Sequence, residues 1–140
     1  MHHIVYRPFR SEYINQVCAV YQENGWTNYL DNRTKLIRAF RQSLYIVGAF
    51  CDDELVGFIR CVGDGEYILY IQDLIIRPAY HRQGIGTALI RQLFTHYPDI
   101  RQCLLVTDTN DSMSNAFYAS IGMSTNCNGY PVTHYFRVWE

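Results

Sequence analysis

The sequence predicts a mixed α/β fold on one largely antiparallel sheet, and three observations predict it. The chain has 140 residues, 49% hydrophobic and 18% charged, which suits one globular domain over residues 1–140. Apolar residues repeat at helical spacing up to residue 44 and then change to the runs and alternation of strands. Gly84 and Gly86 lie between an apolar strand-like run and an apolar helical pattern. That order places a strand–loop–helix–strand crossover in the middle of the chain.

Residues 4–7 (IVYR) read as a short strand. Ser11 can cap a helix over 12–23, whose Ile14, Val17, Cys18 and Tyr21 share a face, and Gly25 ends it. Asp31 or Asn32 can cap a second helix carrying Leu36, Ile37, Phe40 and Leu44. YIVGAFC (45–51) and LVGFIRCV (55–62) flank the turn CDDE and predict a hairpin. After Gly63–Gly65, the run 67–78 predicts a long strand that Pro78 stops. A helix follows over about 85–97, with Ile85, Leu89, Ile90, Leu93 and Phe94 on one face. CLLVTD (103–108) predicts a strand, residues 112–120 a short helix closed by Gly122, and 123–139 two strands around the turn NCNGYP.

Composition excludes several classes. Net charge is −1 and no basic block exists, so no nucleic-acid partner is expected. No apolar run reaches membrane-spanning length, and the N-terminus lacks the apolar core of a secretory leader. Five scattered cysteines (Cys18, Cys51, Cys61, Cys103 and Cys127) show no C-x-x-C and read as reduced thiols of a cytoplasmic protein. No histidine pair has ligand spacing, so no metal is expected.

Gly84 and Gly86 open a helix, where unpaired N–H groups and the positive helix end favour an anion. A P-loop needs Lys before the Ser or Thr, and Thr87 follows Gly86 directly. A dinucleotide fingerprint needs a third glycine, and Leu89 stands there. The stretch DLIIRPAYHRQGIGTALI (73–90) resembles motif A of the GNAT superfamily of N-acetyltransferases: Leu74, Ile76, Pro78, Tyr80, Gly84 and Gly86 fall in register. His81 stands where that family usually has Gln or Arg. NDSMSNAFYASIGM (110–123) resembles motif B through Asn110, Asn115, Phe117, Tyr118 and Gly122, with Met123 in place of the final aromatic.

The resemblance implies a mostly antiparallel sheet of about seven strands, a splayed fourth and fifth strand, and four helices. It implies acetyl-CoA as cosubstrate, with His81, Arg82, Gln83, Gly84, Ile85, Gly86 and Thr87 at the pyrophosphate. A bulged fourth strand would offer the backbone of Leu74, Ile75 and Ile76 to pantetheine, with the N–H near Ile75 toward the acetyl carbonyl. Asn110 and Asn115 would hold the pantetheine arm, although Asn115 can equally cap its helix. Tyr118 would protonate the leaving thiolate.

The base is open. Tyr70 and Gln72 occupy the outward positions where the family often has Glu or His, and neither is a base at neutral pH. Strand alternation points Asp73 to the other face. A water relay ending on Asp64, Glu66 or Asp73 is the expectation, with a structural hydrogen bond as the other role of Asp73. Tyr21, Trp26, Tyr29, Tyr130, Tyr135 and Trp139 would wall the acceptor pocket, with Trp26, Tyr29, Tyr70 and Gln72 taking the substrate. An aromatic wall suits a small primary amine such as an arylalkylamine or polyamine. The phrases NGW, RAFRQSLYIVGA and GFIRCVGDG are similar to aralkylamine acetyltransferase-like members. A non-catalytic acyl-CoA-binding module and transfer to a peptide or protein amine are the alternatives. The alternating segment VTHYFRVW is compatible with pairing in a homodimer.

Overall fold

The computed structural model describes residues 3–125 and 132–139. The chain falls into two compact units, Met1–Leu105 and Val106–Glu140.

The first unit holds one five-stranded sheet in the order β1-β2-β3-β4-β5. The strands are β1 (Val5–Pro8), β2 (Tyr45–Cys51), β3 (Glu54–Gly63), β4 (Ile68–Ile76) and β5 (Gln102–Leu105). The first four pair antiparallel, and β4 pairs with β5 in parallel. A two-residue turn closes β2 onto β3, with Asp52 at φ 48° and Asp53 at φ 67°. Positive φ at both centres gives the twist that suits a tight hairpin.

Two helices precede the hairpin, α1 (Ile14–Glu23) and α2 (Arg33–Gln42). They bury Val17, Val20, Tyr21, Leu36 and Phe40 in one cluster with Ile46, Phe50, Leu55, Phe58 and Ile75 of the sheet. Val47, Ala49, Ile59 and Cys61 alternate with those residues and are buried on the other face. There the helix α3 (Ile85–His96) buries Ile85, Leu89, Ile90 and Leu93. Asn32 caps α2 by accepting from Lys35 N at 3.0 Å. Ser11 does not cap α1, which starts after Tyr13 without a side-chain cap. The Ser11 hydroxyl accepts instead from Arg41 Nε at 3.2 Å. A tertiary contact from α2 thus outcompetes the local cap.

The strands after residue 67 are shorter than the apolar runs that encode them. β4 stops at Ile76, and a 3₁₀ turn takes Pro78–Tyr80. β5 stops at Leu105 rather than 108.

In the second unit α4 (Ser112–Ser120) has the expected bounds, and Gly122 follows at φ 90°. Asp111 caps it, accepting from Ser114 N at 3.0 Å and Ser114 Oγ at 2.7 Å. The two strands expected over 123–139 are not seen in residues 123–125 and 132–139, and the turn at 126–131 lies outside the described residues. Tyr135, Phe136, Val138 and Trp139 are exposed. Alternation confers strand propensity, but a strand also needs a neighbouring strand in register, which alternation alone does not supply. Cys18, Cys51, Cys61 and Cys103 are thiols rather than disulfides, while Cys127 lies outside the described residues. No helix among the described residues is long and apolar enough to cross a membrane.

Candidate active site

The site is organised by a bulge in β4. Asp73 lies opposite Arg60 and Ile71 opposite Cys61, so Gln72 is an extra residue with no partner on β3. A bulge shifts the parity of a strand. Ile71 therefore shares the α3 face with Cys61, while Asp73 and Ile75 share the α1–α2 face with Arg60 and Phe58. Gln72 joins them there, because its Nε2 donates to Tyr29 Oη at 2.8 Å. Strict alternation was the expectation that separated Gln72 from Asp73, and the bulge overturns it.

The same bulge re-aims the backbone. Gln102 N donates to Tyr67 O at 3.0 Å, so Tyr67, Leu69 and Ile71 face β5. Arg77 N donates to Val56 O at 2.7 Å, so Arg77, Ile75 and Asp73 face β3. Leu74 and Ile76 then direct their N–H groups to the opposite edge. Because β5 ends opposite Ile71, that edge has no β5 partner from Gln72 onward. The splayed pair is thus present, and the edge donors are Leu74 and Ile76 rather than Ile75. The carbonyl of Ile76 is held by Asn24 Nδ2 at 3.1 Å and by His81 Nε2 at 2.8 Å.

Asp73 is the buried hub of the α1–α2 face. Its side chain pairs with Arg60 Nε at 2.7 Å through Oδ2, which also accepts from Tyr21 Oη at 2.7 Å. Oδ1 accepts from Tyr29 Oη at 3.0 Å. Arg60 continues to Ser43 Oγ at 3.2 Å, and that hydroxyl donates to Ala39 O at 2.8 Å. Asp73 is 1% exposed and Arg60 5%. Such a pair survives burial only because each member is matched and further hydrogen-bonded. Burial, and then the Asp73 charge, raise the Tyr21 and Tyr29 phenols above their ordinary value. Both remain donors at neutral pH.

Tyr21 is fully buried and forms the middle of an aromatic stack. Tyr29 lies on one side at 4.5 Å and 22°, and Trp26 packs against Tyr21 at 6.2 Å and 21°. Trp26 is 40% exposed and Tyr29 half-buried. Tyr21 therefore joins Trp26 to Tyr29, and Tyr29 joins Gln72 to them. Tyr70 shares their face by register, opposite Val62. Tyr130 lies outside the described residues, and Tyr135 and Trp139 are exposed in the second unit.

The other carboxylate candidates are disposed differently. Asp64 Oδ1 accepts from the N–H groups of Glu66, Tyr67 and Ile68 at 2.8–3.0 Å. Those bonds lower its carboxyl below the ordinary range. Glu66 is exposed.

At the start of α3, Gly84 takes φ 78° and a Cβ there would meet nothing within 4 Å. The glycine answers a backbone need rather than a packing need. Arg82 also has positive φ, at 63°. His81, Arg82, Gln83 and Gly84 are exposed, Ile85 is buried, and Gly86 and Thr87 are intermediate. No acidic residue occurs from Leu74 to Pro98; of the arginines there, Arg77 is ion-paired with Glu23 and Glu54, which leaves Arg82 in the loop and Arg91 on α3. The first turn of α3 thus offers backbone N–H groups, the positive helix end and a positive local charge. These features fit a diphosphate, and the edge of β4 that β5 leaves open fits an amide-bearing arm.

In the second unit Asn115 Nδ2 donates to Asp108 O at 2.9 Å and Asp111 O at 2.7 Å, closing the turn before α4. The backbone N–H of Asn110 donates to Asp108 Oδ1 at 2.8 Å. Tyr118 is partly buried on α4, and burial, then Asp111, raise its phenol.

Two members of the hub, Arg60 and Ser43, were not among the residues singled out from the sequence. The signal was one Arg in the run LVGFIRCV and one Asp in the next apolar run. Opposite charges inside adjacent buried strands point to a buried pair.

A five-stranded mixed sheet with a bulged β4 that β5 follows only part of the way, and a glycine-opened helix after it, places the chain among acetyltransferase-type α/β folds. The chain belongs to the acetyltransferase (GNAT) family, whose model matches residues 8–123. It is 31% identical over 114 residues to a ycf52-like, uncharacterized N-acetyltransferase of Prochlorococcus marinus, covering 77% of this chain and 61% of that protein's length. A GNAT-family acetyltransferase of Streptococcus pneumoniae has the same fold at a TM-score of 0.84 and 32% identity, covering 97% of this chain and 98% of the other. The PaiA N-acetyltransferase of Thermoplasma acidophilum, solved in complex with coenzyme A, superposes at a TM-score of 0.72 with 20% identity over 86% of this chain and 89% of its own.

Proposed function

We propose that this protein is an acetyl-CoA-dependent N-acetyltransferase that acetylates a primary amine of a small molecule by direct attack in a ternary complex. The observation that carries the reading is the junction of β4 and α3. There Leu74 and Ile76 turn N–H groups to an edge that β5 does not reach, and Gly84 opens a helix in a stretch without acids.

When bound, acetyl-CoA supplies a thioester whose acetyl carbon passes to the amine nitrogen, the C–N bond forming as the C–S bond breaks. The first turn of α3, from Gly84 to Thr87, holds the diphosphate through backbone N–H groups. The Leu74 and Ile76 N–H groups pair with the pantetheine arm and polarise the acetyl oxygen. Tyr118 donates a proton to the leaving sulfur, the role that the motif-B resemblance assigns to it. The amine loses its proton to water, since Asp73 is enclosed by three donors and Asp64 is held by backbone N–H groups. Trp26 and Tyr29 supply the aromatic wall for the organic part of the amine.

Thiol release from acetyl-CoA, with tryptamine, phenethylamine, spermidine, an aminoglycoside, free amino acids and a Lys peptide, tests this reading. Release with one of the small amines is expected. Release only with the Lys peptide transfers the reading to a protein acceptor. Tight coenzyme A binding without release from any of them makes the chain a binding module.

A further inference from the structure

The hydrogen-bond polarity around Tyr29 is determined from the buried end outward. A carboxylate has no proton to give, and Asp73 is ion-paired with Arg60. Tyr29 Oη, 3.0 Å from Asp73 Oδ1, must therefore spend its one proton on Asp73. Its lone pair then faces Gln72 at 2.8 Å and can only accept. The Gln72 amide is consequently locked with Nε2 on Tyr29, and its Oε1 becomes the outer pole of an exposed side chain. Turning the amide over would set oxygen against oxygen at Tyr29. Among the described residues none donates to Oε1.

We infer that Gln72 Oε1 is the hydrogen-bond acceptor that holds an N–H of the incoming primary amine, with Asp73 and Tyr29 as positioning residues that fix its orientation. The inference rests on the acetyltransferase reading for its substrate but not for its geometry. Gln72 is the bulge residue, two positions before the Leu74 N–H and beside the Trp26–Tyr21–Tyr29 stack. An amine bonded there lies at the point where β4 parts from β5. A neutral acceptor also suits the chemistry. A carboxylate in its place would stabilise the ammonium and raise the amine's pKa, whereas an amide oxygen binds the N–H and leaves the free amine accessible.

The test uses side-chain amide NMR of the ¹⁵N-labelled full chain, wild type against Tyr29→Phe and Gln72→Met. One Gln72 Nε2 proton should exchange slowly in the wild type and lose that protection in Tyr29→Phe. Phenethylamine, tryptamine and spermidine serve as probes. At least one should shift the Gln72 amide, and Gln72→Met should weaken its binding about 5–20-fold while coenzyme A affinity stays within about twofold. Gln72 sits exposed on a bulge, so the Met variant keeps the test open if Tyr29→Phe fails to fold. Equal exchange in wild type and Tyr29→Phe overturns the inference, as does a Gln72 amide that none of the three amines perturbs. Loss of coenzyme A binding alone counts against the acetyltransferase reading, because the amide measurement needs no coenzyme.

Discussion

Arg60 and Asp73 face each other across β3 and β4, joined at 2.7 Å and almost completely buried. The pair is bound on every side by hydroxyls, from Tyr21, Tyr29 and Ser43. Removing one partner leaves a buried charge unmatched. Arg60→Met should therefore cost about 3–5 kcal/mol of unfolding free energy. The double variant with Asp73→Leu should cost less than the two single changes added together. Urea denaturation of the four proteins measures this coupling, and simple additivity would show that the pair does not act as a unit.

Gly84 separates stability from ligand binding. At φ 78° a side chain is strained, although a Cβ meets no neighbour. Gly84→Ala should lose about 1–2 kcal/mol of stability and weaken coenzyme A binding by at least about tenfold, which one hydrogen bond's worth of misplacement allows. Calorimetry at a temperature where both proteins are folded distinguishes the effects. Unchanged affinity would remove the diphosphate from this turn.

Tyr118→Phe should lower kcat by about 10²-fold, the scale of a lost general acid. The phenol is raised by burial and then by Asp111, so it stays protonated through neutral pH and the acid is lost only as pH rises past its shifted value. Asp111→Asn keeps a capping side chain on α4 but removes the charge. It should move that alkaline loss to lower pH. A pH profile of kcat with an unmoved alkaline limb would contradict the assignment.

Acid should weaken the β3–β4 turn through Asp64. Its carboxyl is lowered by backbone N–H groups from Ile68, Glu66 and Tyr67. Its contribution is full above the ordinary carboxylate value and fades as pH falls through the lowered one. Asp64→Ala should reduce the urea midpoint at pH 7. It should also narrow the gap between pH 7 and pH 3 relative to wild type. An equal gap in both proteins would place the acid sensitivity elsewhere.

Much of this fold was legible in residue order. The change of period at residue 45, the hairpin turn at Asp52 and Asp53, and the bounds of α4 all follow from local pattern and turn chemistry. The glycine loop was legible because its residues sit together in sequence. The Asp73 hub was not. Its members come from α1, the loop after it, the end of α2, β3 and β4, and only tertiary pairing gathers them. The side-chain direction of Asp73 departs from strict alternation for a related reason. A bulge was expected in the fourth strand, yet its position at Gln72 depends on the register with β3. One extra residue there reverses which side chains and which N–H groups face the site.

The most direct measurement is thiol release from acetyl-CoA by the purified protein across the amine panel. The expected result is release that requires a small primary amine, whose kcat/KM rises with pH toward the amine's own pKa, and which Asp64→Asn and Glu66→Gln leave unchanged. A protein that neither releases thiol nor binds coenzyme A would contradict the reading of the β4–α3 junction on which the account rests.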